Sequence, residues 1–104
     1  MANYVLAYTG GSMAETPEAQ AEAMQAWGAW FGTLGESVVD GGAPFGASGT
    51  IKADGATSDA GASRLSGYSI VSADSVADAQ AKAKGCPVLA AGGAVEVYEV
   101  IPVG

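Results

Sequence analysis

Few residues in this 104-residue chain can do chemistry, because it contains no histidine, a single cysteine and only four basic residues. A Ser-His-Asp or Cys-His relay needs an imidazole that takes up a proton near neutral pH. Zinc sites built from His and Cys lack their ligands for the same reason. Any chemistry must therefore use carboxylates, tyrosines, tryptophans and backbone amides.

Asp40 is the carboxylate whose position most favours a functional role. It ends a predicted strand, Val38-Val39-Asp40, and is followed by Gly41 and Gly42, where the backbone must bend or admit another segment. A carboxylate beside such a cleft can act as a general base. Aspartates at turns also accept hydrogen bonds from loop amides, and the sequence leaves both interpretations open.

Two tryptophans, Trp27 and Trp30, recur with Leu34 at helical spacing, and Phe31 lies beside them. Their stripe predicts an amphipathic helix that begins at Thr16-Pro17, where Thr16 caps the first turn, and ends near Gly35. The tryptophans either pack in the core or line a pocket for a flat apolar ligand.

The remaining polar candidates have structural alternatives. Tyr4, Tyr8, Tyr68 and Tyr98 lie on predicted strands, where a hydroxyl orients a substrate or, as we favour, sits in a subunit seam. Glu96 shares the side of the last strand with Tyr98 and is expected at the rim. Arg64, the one arginine, is a solvated residue or a clamp for a carboxylate ligand. Cys86 before Pro87 is expected to be a small buried residue rather than a nucleophile.

Charge and composition limit the partners. Eleven acids against four bases give a net charge of −7, which argues against nucleic acid and anionic membranes. The start of the chain shows neither a secretion signal nor a membrane span, and one cysteine fits a reducing cytoplasm. Gly41-Gly42 and Gly92-Gly93 do not match phosphate-binding spacings, so no cofactor and no metal are expected.

The elements follow the order β-α-β-(hairpin)-β-α-β. Strands are predicted at residues 3–9, 38–40, 67–71 and 95–101, and Asp54-Gly55 turns a small hairpin at residues 50–58. Ser75 and Asp78 begin a second helix, which ends at Gly85. Residues 59–66 are predicted to be a mobile loop.

Two β-α-β units in one 104-residue domain predict an α+β fold. The four strands would form one antiparallel sheet with both helices on one face. The first and last strands carry apolar residues on both sides, and the helices cover only one side. A second copy of the chain is the simplest cover for the other side, so we expect a homodimer.

These segments together resemble the YCII-related (DGPF domain) family, over about residues 4–103. The resemblance rests on the Trp-bearing helix, Val38-Val39-Asp40-Gly41-Gly42, Gly67-Tyr68-Ser69-Ile70-Val71, Cys86-Pro87 and Val95-Glu96-Val97. It implies a ferredoxin-like domain that dimerises through its sheets into an α+β barrel.

The chain departs from this family at two places. Its Asp-Gly-Pro-Phe signature is replaced by Asp59-Ala60-Gly61, and the first-helix histidine of some relatives falls near Met24 or Gln25. The His–Asp chemistry proposed for those relatives therefore does not carry over.

We expect a small organic ligand in a pocket formed by Met24, Trp27, Asp40, Gly41 and Tyr68. Asp40 would be the acid–base group of a lyase or isomerase reaction on a small acid. The alternative is a non-catalytic dimeric interaction or regulatory module.

Overall fold

The computed structural model describes residues 1–11, 15–59, 61 and 63–103. The six strands are β1 (Ala2–Thr9), β2 (Val38–Pro44), β3 (Thr50–Ile51), β4 (Thr57–Ser58), β5 (Leu65–Ala73) and β6 (Ala94–Glu99). The helices are α1 (Pro17–Leu34), α2 (Val76–Ala83) and α3 (Pro87–Ala90), and one turn of 3₁₀ helix, Gly35–Ser37, leads from α1 into β2.

Four strands form one antiparallel sheet in the order β2-β5-β1-β6. β5 lies between β1 and β2, and β1 lies between β5 and β6. Each helical crossover therefore joins two strands that have one other strand between them. This arrangement is the ferredoxin-like α+β fold that the order of elements predicts. β3 and β4 pair separately as the expected hairpin, in which Gly55 adopts a φ of 90° and Asp54 Oδ1 accepts the Ala56 amide.

Local signals placed the two main helices correctly. The Thr16 hydroxyl accepts the Ala19 amide at 3.1 Å, and Pro17 occupies the first helical position of α1. The Ser75 hydroxyl accepts the Asp78 amide at 3.0 Å at the start of α2. The Asp78 carboxylate in turn accepts the Asp74 amide and contacts Lys82, and these interactions lower its pKa.

The core fills the space between one face of the sheet and the helices. Leu6 and Val71 are fully buried on adjacent strands, and Trp30 of α1 is 5% exposed. The Trp30 indole donates to the Lys82 carbonyl at 3.0 Å, which ties α1 to α2. The buried core consists of Tyr4, Leu6, Tyr8, Trp30, Val71, Ala73, Ala79, Ala83, Cys86 and Val88.

The placement of Tyr4 and Tyr8 corrects one expectation. Both face the helices and are buried in the core, whereas the sequence interpretation placed them in a subunit seam. The side chains of β1 alternate between the two faces of the sheet, and the larger residues Tyr4, Leu6 and Tyr8 occupy the covered side. Ala7, on the other face, is also buried. Tyr98 is on the other side of the sheet and is 54% exposed.

Several boundaries also differ from the prediction. β5 begins at Leu65, so residues 65 and 66 are strand rather than loop, and β6 ends at Glu99. Asp40 lies inside β2, which continues to Pro44 through two irregularities in its pairing with β5. The four-residue α3 was not anticipated, because one turn leaves no helical periodicity to recognise. Ala60 and Ala62 of the predicted loop lie outside the described residues.

The second face of the sheet carries no helix from the described part of the chain. Val5 pairs there with Ile70 on one side and with Tyr98 on the other. We call this surface, formed by Val5, Ala7, Tyr68, Ile70, Glu96 and Tyr98, the open face. Within the same ranges, no helix combines the length and apolarity needed to cross a membrane.

Candidate functional site

A cavity of about 600 Å³ lies between α1 and the side of the sheet formed by β2 and β5. α1 supplies an aromatic wall, the two strands supply a wall of small residues, and no lining residue is charged. The cavity is lined by Tyr8, Ala23, Met24, Trp27, Phe31, Gly41, Gly42, Ala43, Pro44, Ser66, Gly67, Tyr68, Ser69 and Val88.

The irregular pairing of β2 shapes the wall of small residues. Gly42 has a φ of 74°, a conformation that L side chains rarely adopt, and a Cβ there would overlap the Tyr68 carbonyl oxygen. A Cβ on Gly67 would lie 3.0 Å from the Ala43 carbonyl. Glycine at these positions lets the two backbones approach each other, and the side chains missing from this wall leave open volume beside α1.

Trp27 is the centre of the aromatic wall. Its ring meets Tyr8 edge-on at a centroid distance of 5.2 Å, and Trp30 and Phe31 lie 5.7 Å and 6.0 Å away. Trp30 belongs to the buried core, whereas Trp27 is only partly buried and lines the cavity. Trp30 therefore matches the interpretation that the tryptophans pack in the core. Trp27 matches both interpretations, because it packs against the core and lines the cavity.

A pair of buried hydroxyls forms the polar part of the cavity. Tyr8 Oη donates to Ser69 Oγ at 2.7 Å, and Ser69 Oγ donates to the Gly41 carbonyl at 2.8 Å. Burial raises the pKa of Tyr8 to about 12, so this phenol is protonated at neutral pH. Cys86 lies beside Tyr8, and burial raises the pKa of its thiol, which makes it a weak nucleophile.

Asp40 lies next to the cavity but is not among the lining residues. Its Oδ1 accepts the Gly42 amide at 2.8 Å, and its Oδ2 accepts the Tyr68 hydroxyl at 3.3 Å. Of the five pocket residues that the sequence suggested, Met24, Trp27, Gly41 and Tyr68 line one cavity. The first of the two interpretations of Asp40, a general base, stays a prediction, and the second matches the contact with Gly42.

The profile of the YCII-related domain family matches residues 4–104, from the third residue of β1 to the end of the chain. The chain belongs to the YCII-related domain family. A search of curated proteins found no match, and neither did a search of solved structures.

Two places where we expected this YCII-related domain to depart from the family pattern lie in different surroundings. Met24, one of the two residues near which the first-helix histidine was expected, is at the rim of the cavity and is 76% exposed. Asp59-Ala60-Gly61 stands where the family signature was expected, and its Ala60 lies outside the described residues. Met24 has no acid–base group, so it contributes only contact area to the cavity.

The other candidates of the sequence lie away from this cavity. Arg64, with a φ of 54°, lines a second hollow between residues 45–51 on one side and Gly61 and residues 63–65 on the other. Tyr98 donates to the Glu96 carboxylate on the open face, and that hydrogen bond raises the pKa of Tyr98. Among the residues described, no three Cys, Asp or Glu side chains come close enough together to hold a metal ion.

Sequence reasoning named Tyr8 as a candidate but left it out of the pocket, and it missed Ser69 as a site residue. The alternation of β1 gave a signal for Tyr8, because it places Tyr8 on the same face as Leu6. Ser69 lies between Gly67 and Val71 on the covered face of β5, and a serine at such a position must find hydrogen-bond partners inside the protein. The cavity between them depends on how α1 packs, which no local pattern encodes.

Proposed function

We propose that this YCII-related domain binds a small, largely apolar organic molecule in the cavity between α1 and β2–β5. The observation that carries the proposal is the uncharged aromatic wall of Trp27, Phe31 and Tyr8 next to the buried hydroxyl pair of Tyr8 and Ser69. A ligand that covers this wall removes apolar surface from water, at about 25 cal/mol for each Å².

The size and lining of the cavity support this proposal. Ligand pockets commonly enclose roughly 300–1,000 Å³ and combine an apolar lining with a few fixed polar groups. Here the volume is about 600 Å³, and the hydroxyls of Tyr8 and Ser69 are fixed by the hydrogen bonds between them and Gly41. A chain without histidine needs no acid–base relay for this role.

The test is binding of 4-nitroanisole, a neutral aromatic probe, followed through the amide resonances of the labelled protein. We expect shifts at Gly41, Gly42, Gly67 and Ser69, because these residues line the cavity. Ala23→Phe should abolish them by filling the cavity from α1. Ala26→Phe is the matched control, because Ala26 is an exposed residue of the same helix and does not line the cavity. Equal shifts in both variants would place the probe elsewhere and contradict the proposal.

A more specific proposal is that Asp40 carries out acid–base chemistry of lyase or isomerase type on the bound molecule. Support comes from the chain neighbours of Asp40, since Gly41 and Gly42 line the cavity. Each of its carboxylate oxygens accepts one hydrogen bond, from the Gly42 amide or from the Tyr68 hydroxyl, and keeps a lone pair that can take up a proton. No cofactor enters this proposal.

A second candidate is a dimeric interaction or regulatory module, which the open face favours. Ile70 and Val5 are only half-buried there, and Tyr98 is exposed. Apolar side chains on an uncovered sheet face favour association with a second copy of the same surface. Ligand binding and dimer formation use opposite faces of the sheet, so the two functions are compatible. A cytoplasmic location stays a prediction from the single cysteine.

A further inference from the structure

We infer that the cavity takes its ligand uncharged and that the ligand donates a hydrogen bond to the Tyr8 hydroxyl oxygen. The inference rests on the proposed function and specifies the ligand class, namely flat apolar molecules that carry a neutral hydroxyl or N–H group. Anions, including the ionised small acids that the sequence suggested as substrates, are excluded from this class.

The Gly41 carbonyl fixes the direction of the hydrogen bonds in the Tyr8–Ser69 pair. The Gly41 carbonyl has no hydrogen, so Ser69 must donate across the 2.8 Å separation. Ser69 then has no hydrogen left for Tyr8, so Tyr8 must donate across the 2.7 Å separation. Both hydroxyl hydrogens are used within the protein. Ser69 is fully buried and Tyr8 is 5% exposed, so the acceptor that a ligand can reach is the Tyr8 oxygen.

The hydroxyl of Ser66, which also lines the cavity, is committed in the same way. Its Oγ donates to the Tyr8 carbonyl at 3.2 Å. The Tyr68 side chain lies on the open face, where Oη donates to the Asp40 carboxylate at 3.3 Å. The hydroxyls of Tyr8, Ser66 and Ser69 therefore give their hydrogens to protein acceptors, and a ligand that offers a donor finds an acceptor in the Tyr8 oxygen.

The charges around the cavity act in the same direction. No lining side chain is a cation, and Arg64 lies at the second hollow. Asp40 is the acid nearest along the chain to the wall, and Cys86, whose thiol pKa is raised, is the titratable group that contacts Tyr8. Tyr8 itself stays protonated, because burial holds its pKa at about 12. An anion entering this lining would lose its hydration without gaining a charged partner.

Two probes that differ by one methyl group test the inference. 4-Nitrophenol donates a hydrogen bond and ionises near neutral pH, whereas its methyl ether, 4-nitroanisole, has no donor and does not ionise. Below the pKa of the phenol, we expect 4-nitrophenol to bind about fivefold to tenfold more tightly than the ether, the usual worth of one hydrogen bond. Above that pKa, its apparent affinity should fall about tenfold for each pH unit, because only the neutral fraction binds. The affinity for the ether should stay constant.

The outcomes distinguish a failure of this inference from a failure of the proposed function. If both probes bind equally and independently of pH, the proposed function stands and this inference is wrong. Phenolate binding as tight as phenol binding would also overturn it. If neither probe shifts the cavity amides at any pH, the proposed function fails and this inference fails with it.

A pair of serine variants on β5 locates the acceptor. Ser69→Ala frees the Tyr8 hydrogen, so the preference for phenol over ether should fall several-fold while the ether still binds. Ser72→Ala is the matched control, because Ser72 lies on the same strand, contacts the Ser37 carbonyl and does not line the cavity. An unchanged preference in Ser69→Ala, with a folded spectrum, would contradict the assignment of the acceptor.

Discussion

At the scale of single residues, the contacts of Asp40 show how one carboxylate stabilises the backbone around it through hydrogen bonds. Oδ1 accepts the amide of Gly42, two residues ahead, which is the usual geometry of an aspartate that stabilises a turn. Oδ2 accepts the hydroxyl of Tyr68 on the neighbouring strand. Both contacts hold β2 in its irregular path, and that path forms one wall of the cavity.

Substitution of Asp40 separates its structural role from a catalytic one. Asp40→Asn keeps an oxygen for the Gly42 amide, so its stability should lie within about 0.5 kcal/mol of the parent protein. Asp40→Ala loses both contacts and should cost about 1 kcal/mol, measured by denaturant unfolding.

The same Asp40 pair tests the proposed chemistry. If Asp40 is an acid–base group, Asp40→Asn should reduce the turnover of any converted substrate by about 10²-fold or more, because the amide cannot transfer the proton. Full turnover in the folded Asn variant would remove the catalytic role. Equal stability of the Ala and Asn variants would contradict the structural role.

At the scale of elements, the sequence predicted what depends on neighbours in the chain. The caps at Thr16 and Ser75 and the Asp54-Gly55 turn act within a few residues, and all three lie where they were predicted. The sequence also located the break at Gly41-Gly42. It did not reveal that β2 resumes beyond that break and pairs with β5, because that pairing depends on residues more than twenty positions away.

The candidate site shows the same limit. Trp27, Gly41 and Tyr68 were recognisable by residue type and position, and the structure brings them to one cavity. The pairing of Tyr8 with Ser69 joins residues 61 positions apart, and it depends on the register of β1 against β5. A one-residue change of that register would turn one of the two side chains to the open face.

The path of β2 gives a prediction with a matched pair of glycines. Gly42→Ala should cost more than about 2 kcal/mol, because the new Cβ meets the Tyr68 backbone and the φ of 74° is strained for alanine. Gly41→Ala has no neighbour within 4 Å of its Cβ and should change stability by less than about 0.5 kcal/mol. Thermal unfolding measures both variants. Equal melting temperatures for the two would show that β2 does not hold the bulged path.

At the scale of the whole molecule, the two faces of the sheet differ in how completely they are covered. The helix-covered face contains Leu6 and Val71, which are both fully buried. On the open face, Val5 and Ile70 keep partial contact with solvent and Tyr98 is 54% exposed. Association through this face has to overcome the repulsion between two chains that each carry a net charge of −7. Dimer formation should therefore be stronger at higher salt, which screens that repulsion.

Light scattering after size exclusion tests the dimer. At micromolar concentration the mass should be about twice 10.2 kDa. Ile70→Glu places a charge at the centre of the open face, beside Val5, and should yield monomers, because the carboxylate would be buried without a partner in the dimer. Val76→Glu is the control: it adds the same charge at an exposed position in the first turn of α2, away from the sheet, and should leave the mass unchanged. A parent protein that stays a monomer at micromolar concentration, at both low and high salt, would mean that the open face is not a site of self-association.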